Sequence, residues 1–150
     1  MKAKFLFLSM CFFTVTVIFS QTKSTPKSIK SIISTDATIK KYHVLDELKD
    51  MQKGELLNLY IERIKVITKT LPYIALATKP GVTMNDLGIP NNSENNKLLD
   101  AQAEETAKYL ESTIEFQKQL LPYSDKENLI ASILFYENTL KSLHEFEDLK

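Results

Sequence analysis

The sequence predicts an all-α protein, a small antiparallel up-and-down helical bundle. Three observations carry this. Apolar residues recur at three- and four-residue spacing through most of the chain beyond residue 35. No segment alternates apolar and polar residues over a strand length beside a hairpin signal. Glycine and proline cluster between the periodic stretches. At 150 residues, 43% hydrophobic and 25% charged, the chain is sized for one domain.

From Asp36, placed as an N-cap, Ile39, Tyr42, Leu45, Leu48 and Met51 trace one face of a first helix reaching Met51. Leu56, Leu59, Tyr60, Ile64, Ile67, Leu71 and Ile74 mark a second, which runs to about Ala77 unless Pro72 kinks or ends it. A single glycine costs only about 1 kcal/mol inside a helix, so Gly54 is compatible with a turn or with one long rod. The bundle therefore has four helices, or three if the first two are continuous.

Residues 79–92 hold Pro80, Gly81, Gly88 and Pro90 and must turn. Val82, Met84, Leu87 and Ile89 require this loop to fold back onto the core, with Thr83 and Asp86 capping a single turn that ends at Gly88. Ser93 and Glu94 open a third helix with Leu99, Ala103, Ala107, Leu110, Ile114 and Leu121 on its face, ~43 Å long at the helical rise. Pro122 stops it. A capping box from Ser124 to Glu127 then starts a fourth helix bearing Leu129, Ile130, Ile133, Leu134, Tyr136, Leu140 and Leu143. Leu71-Pro72-Tyr73 and Leu121-Pro122-Tyr123 repeat a tripeptide, but a sustained period is missing, and proline after an apolar helix end explains both.

The N-terminus reads as a secretory signal peptide: Lys2 and Lys4 precede an apolar run from Phe5 to Phe19, too short to span a bilayer as a helix. Cleavage is expected near Ser20/Gln21. Ile18 fits the small-residue rule poorly, which leaves an uncleaved anchor as the alternative. The expected organisation is a signal peptide over 1–20, a flexible tail over 21–35 rich in Thr, Ser, Lys and Pro, and a single bundle domain over 36–150. The protein is expected to be exported, to a periplasm or to the exterior.

Several function classes fall away. Three scattered glycines cannot build a phosphate loop, a dinucleotide fingerprint or a nucleophile elbow. The one cysteine, Cys11, lies in the leader, so no disulfide, thiolate nucleophile or cysteine metal cage is expected in the mature chain. Nineteen basic residues balance nineteen acidic ones, and Arg63 is the lone arginine, so no nucleic-acid partner is expected.

Two candidate sites remain. The first is the long loop, where Met84, Asn85, Asp86 and Leu87 mix apolar and polar chemistry suited to recognition; the competing reading is a plug that closes one end of the bundle. The second uses the two histidines, each followed by acids at helical spacing. His43 with Glu47 and His144 with Asp148 would form a nitrogen and oxygen set for zinc or copper if the helices meet, whereas solvated charged turns account for the same pattern. A carboxylate-bridged di-iron site is disfavoured, since Lys40 and Lys141 stand where its glutamates belong. Tyr60, Tyr73, Tyr109, Tyr123 and Tyr136 suit interfaces or a core edge. No catalytic motif is identifiable and no cofactor is implied, although an unmarked carboxylate pair remains a minor alternative. The sequence thus points to a small exported non-catalytic helical protein that binds a protein partner or small ligand, with the metal-binding bundle as the alternative.

Overall fold

The computed structural model describes residues 29–145. The leader and cleavage site therefore lie outside the described residues, as do residues 21–28 and Asp148. Within them are four helices, α1 (Leu45–Asp50), α2 (Lys53–Thr70), α3 (Ser93–Leu120) and α4 (Lys126–Glu145), with no strand longer than one bridge. The fold is a small all-α bundle. Leu121 and Ile114 of the α3 end pack with Leu56 and Tyr60 near the start of α2, while Leu99 packs with Tyr73 beyond its end, so α3 runs antiparallel to α2. Tyr60 meets Tyr136 and Val66 meets Leu140, so α2 and α4 run parallel.

The first helix is shorter than its periodicity suggests. Residues 36–44 are not helical, and α1 is a six-residue helix whose first turn is capped by Glu47 reaching back to the Val44 N–H at 3.2 Å. The apolar residues in that stretch serve an irregular path: Ile39 and Tyr42 pack against Val66, Ile67 and Leu140. The break between α1 and α2 falls at Met51 and Gln52, where Glu55 accepts from the Gln52 N–H at 2.8 Å, and Gly54 sits inside the first turn of α2. Leu71-Pro72-Tyr73 ends α2 in a single 3₁₀ turn, and Leu121-Pro122-Tyr123 ends α3 in the same way. The proline ring denies each helix its next hydrogen bond.

At the other helix starts, Asn92 caps α3 by accepting from the Asn95 N–H at 2.8 Å. The expected capping box of α4 is not used: Ser124 Oγ is buried without a hydrogen-bond partner, and the carbonyl of Asp125 receives the first helical bond, from Leu129. The corner between α3 and α4 is instead tied to the corner between α1 and α2. Lys126 donates to the Lys49 carbonyl at 2.6 Å and Lys53 to the Pro122 carbonyl at 2.7 Å.

Residues 29–35 differ most from the expected flexible tail. Ile33 is fully buried and Ile32 nearly so, packed with Ala37, Ala77 and Met84. Two backbone bonds, Ile32 N–H to the Val82 carbonyl at 2.7 Å and Gly81 N–H to the Ile33 carbonyl at 3.0 Å, dock this segment on the long loop. Burying two adjacent isoleucines offsets the ordering cost that their polar neighbours alone would not.

The remaining core lies between α1, α2 and α4 (Leu48, Leu56, Ile61, Leu129, Ile130 and Ile133) and, further along, between α2 and α4 (Val66, Ile67 and Leu140). Among the described residues, no helix is long and apolar enough to cross a membrane. Ile133 has no exposed surface, and its truncation to alanine is expected to lower stability by about 2–5 kcal/mol in urea unfolding. Gly54→Ala, on an exposed helical site with nothing within 4 Å of the added methyl, is expected to raise it by about 0.5 kcal/mol.

Candidate functional site

Between the two apolar layers of α2 and α4 lies a charged one. Arg63 takes the inward position after Tyr60 on α2, Glu137 the one after Ile133 on α4, and both are almost completely inaccessible. Arg63 donates from Nε to Glu137 Oε1 at 2.8 Å, and its Nη2 lies 2.7 Å from the same oxygen as an ion-pair contact. His43 supplies the other two contacts: its backbone N–H donates to Oε2 at 2.6 Å, and its Nδ1 lies 3.0 Å from Oε1. Arg63 also donates to the Lys41 carbonyl at 2.7 Å, while its Nη1 sits 3.2 Å from Glu62, close enough for charge attraction but not aligned for a hydrogen bond.

Burial alone would push the Glu137 carboxyl up, but the bonds from the His43 ring and backbone and from Arg63 together outweigh it and hold the group below its ordinary value. An ionised carboxylate only accepts, so His43 carries its proton on Nδ1, and the 3.3 Å approach of Arg63 Nη2 to that nitrogen is a contact between two donors sharing one oxygen. Burial first, and then the charge of Glu137, raises the neighbouring Tyr42 hydroxyl. This centre pins residues 41–43 to both long helices.

Upstream of the pinned residues, the segment 29–35 forms one wall of a groove of about 510 Å³. Its floor is α3, where Leu99, Ala103 and Ala107 face the opening; Ile29 and Ile32 line the wall and Tyr73 the far end. Ala103 and Ala107 are exposed despite lying on the side of α3 that faces the segment, because two methyl groups leave the space unfilled. Lys30 and Lys69 also line it. Lys69 bonds Asp36 at 2.6 Å, and Lys30 pairs with Asp100. The bonds from Lys69 and Ser34 hold the Asp36 carboxyl below its usual range. A second opening, of about 440 Å³, lies between α1 and α4 beside Leu45, Ile130 and Leu134, but its Lys126 is committed to the Lys49 carbonyl.

The loop residues singled out in the sequence divide. Met84 is buried with Ile32 and Ile33, and Leu87 packs on the same cluster. Asn85 and Asp86 are exposed, and Asp86 accepts from the backbone and hydroxyl of Thr83 at 2.8 and 2.7 Å. Those bonds, with Thr83, lower its carboxyl. The turn ends at Gly88, whose left-handed φ of +69° suits glycine, as the sequence predicts.

Of the proposed metal set, His43 is buried against Glu137, whereas Glu47 is half-buried and bonded to Lys41 at 2.8 Å. His144 lies on α4 about two turns past Glu137, and its side chain, like Asp148, is outside the described residues. Among the described residues, no group of three or more His, Cys, Asp or Glu side chains is placed to hold a metal ion. Tyr60 and Tyr136 pair in the core edge with hydroxyls 3.4 Å apart, Tyr73 borders the groove, and Tyr109 and Tyr123 are exposed. Burial and the Tyr136 hydroxyl raise Tyr60 well above its usual value.

Sequence reasoning passed over Glu137 and the groove, and it read Arg63 only as a lone arginine. The available signal was positional, since Arg63 and Glu137 each interrupt an apolar helical stripe. Comparison gives no further guide: the chain matches no family model, no curated protein and no solved structure.

Glu137→Gln leaves the Arg63 charge buried without its counter-ion and is expected to cost about 3–5 kcal/mol in urea unfolding. Arg63→Met with Glu137→Leu is expected to cost less than the sum of the single changes, by at least about 1 kcal/mol. Because the folded Glu137 carboxyl is held below its ordinary 4.5, its contribution is complete above that pH and is lost as pH falls through the lowered folded value. A stability profile between pH 6 and pH 3 is expected to show this slope in the wild type and a shallower one in Glu137→Gln.

Proposed function

We propose that this chain is an exported, non-catalytic binding protein whose working surface is the groove between residues 29–35 and α3. The observation that carries this reading is the open floor at Ala103 and Ala107, walled by a segment that two backbone bonds and the burial of Ile32 and Ile33 hold against the long loop. A volume of about 510 Å³ falls in the range of small-molecule sites, and the lining combines apolar side chains with hydroxyl and charged groups that can orient a ligand. The composition supports the non-catalytic part, since no nucleophile with its base is identifiable in the sequence. The apolar leader supports export.

A small ligand is favoured over a protein partner because the groove is concave, whereas a stable protein interface asks for a broad patch of about 800 Å² on each side. Native mass spectrometry of the protein taken from its host's envelope fraction, compared with its denatured mass, tests this. The expected result is additional non-covalent mass on the wild type that is lost from Ala107→Trp, which fills the groove from an exposed helical position. A bare wild-type chain, or cargo retained by the filled variant, overturns the reading.

A further inference from the structure

We infer that the groove takes a single-chain amphiphile with a terminal carboxylate, its tail lying along α3 and its head on Lys69 and Lys30. This rests on the groove's being the binding site. Leu99, Ala103 and Ala107 follow one another along about 12 Å of α3 at the helical rise, an apolar track the length of a medium acyl chain. Ile29, more than half exposed, and Ile32 flank that track from the opposite wall. The track is apolar along its length, which suits an alkyl chain better than a polar solute.

Charge selects the head group. Two cations, Lys30 and Lys69, line the groove against one anion, Asp100, and Asp36 stands outside the lining. In both pairs the lysine is the more covered partner: the Lys69 side chain is 30% exposed against 65% for Asp36, and Lys30 35% against 56% for Asp100. The two lysines thus belong to the groove, while Asp36 stands in solvent and Asp100 lies at the groove's exposed edge. Each lysine already holds one carboxylate, so an incoming carboxylate exchanges for Asp36 or Asp100 without leaving an ammonium unpaired. The released aspartate is exposed and regains water at little cost. Ser31, Ser34 and Thr35 beside them supply hydroxyl donors at the same end of the wall.

Asp36 is then a competitor of the ligand as well as a partner of Lys69, and this separates binding from mere structure. The full-length protein, purified from its host, is titrated with decanoate and with decyltrimethylammonium, each below its micelle concentration, while the methyl resonances of Ala103 and Ala107 are followed. Decanoate is expected to shift both saturably, and the cationic amphiphile to bind at least about tenfold more weakly. Lys69→Gln is expected to weaken decanoate about tenfold, whereas Asp36→Asn, which breaks the same ion pair, is expected to strengthen it severalfold. A purely structural pair would make both variants move the same way, and that result overturns the inference. Equal binding of the two amphiphiles overturns it while leaving the groove as a binding site. Failure of both to bind also overturns it, and the mass spectrum of the native protein then shows whether a groove ligand of other chemistry remains.

Discussion

A carboxylate and a guanidinium placed in an apolar interior must satisfy each other or unfold the protein, and the bundle is arranged around that requirement. Arg63 and Glu137 sit between two apolar layers, each fully withdrawn from water. Their attraction alone does not repay the desolvation of two ions; the remaining lone pairs and protons must also be bonded. The helices supply only the two charged side chains. The two further contacts to Glu137 come from His43, and the Lys41 carbonyl takes one arginine proton, so the charge balance of the core is completed by a stretch that is not helical at all. That dependence explains why residues 36–44, whose apolar spacing would suit a helix, are not helical. As a helix they would present one stripe; in their irregular path they deliver the backbone N–H of His43 and the carbonyl of Lys41 to the ion pair while Ile39 and Tyr42 still reach the core.

Fixing residues 41–43 shortens the stretch of chain left free before them, and a second set of contacts holds the segment upstream. Ile32 and Ile33 insert under the long loop, and the loop answers with two backbone bonds and the side chain of Met84. The loop therefore acts as a plug on one end of the bundle, with the N-terminal segment lying across it. Because Ile29 and Lys30 lie beside α3, and because α3 carries alanines there, the two surfaces face each other without filling the gap. The buried charge thus anchors one end of a non-helical segment whose other end, docked on the loop, walls the groove.

Much of this architecture was legible in the sequence. The helical periodicities gave α2, α3 and α4 close to their observed bounds, the prolines of the two Leu-Pro-Tyr tripeptides ended their helices, and Thr83 with Asp86 capped the turn ending at Gly88. Local chemistry suffices for such features. What was not legible depended on pairing across the fold. Ile39, Tyr42 and Leu45 at threes describe a helix as well as they describe an irregular path, and only the demand of Glu137 for donors distinguishes the two. His43 drew notice for its acidic neighbours in sequence, yet its partner is Glu137 on another helix. Glu137 itself looked like one of many surface acids. Arg63 carried the best unused signal: a solitary arginine among lysines, set in the middle of an apolar stripe, is the side chain suited to a multiply bonded buried pair. The groove had no signature in the sequence, since exposed alanines on a helix become a site only when another segment stands opposite them.

The claim that a buried ion pair anchors the non-helical segment is tested most directly by native-state amide hydrogen exchange at His43, whose N–H lies outside any helix and donates to Glu137. If the pair holds the segment, this amide exchanges with protection close to that of α2 and α4, and Ile32 and Gly81, which dock the wall on the loop, share much of it. In Glu137→Gln, protection at His43 and Ile32 falls further than protection within α2. Exchange at His43 as fast as at the exposed Lys40, with α2 and α4 still fully protected, would contradict the account, because the segment would then open independently of the charge said to anchor it.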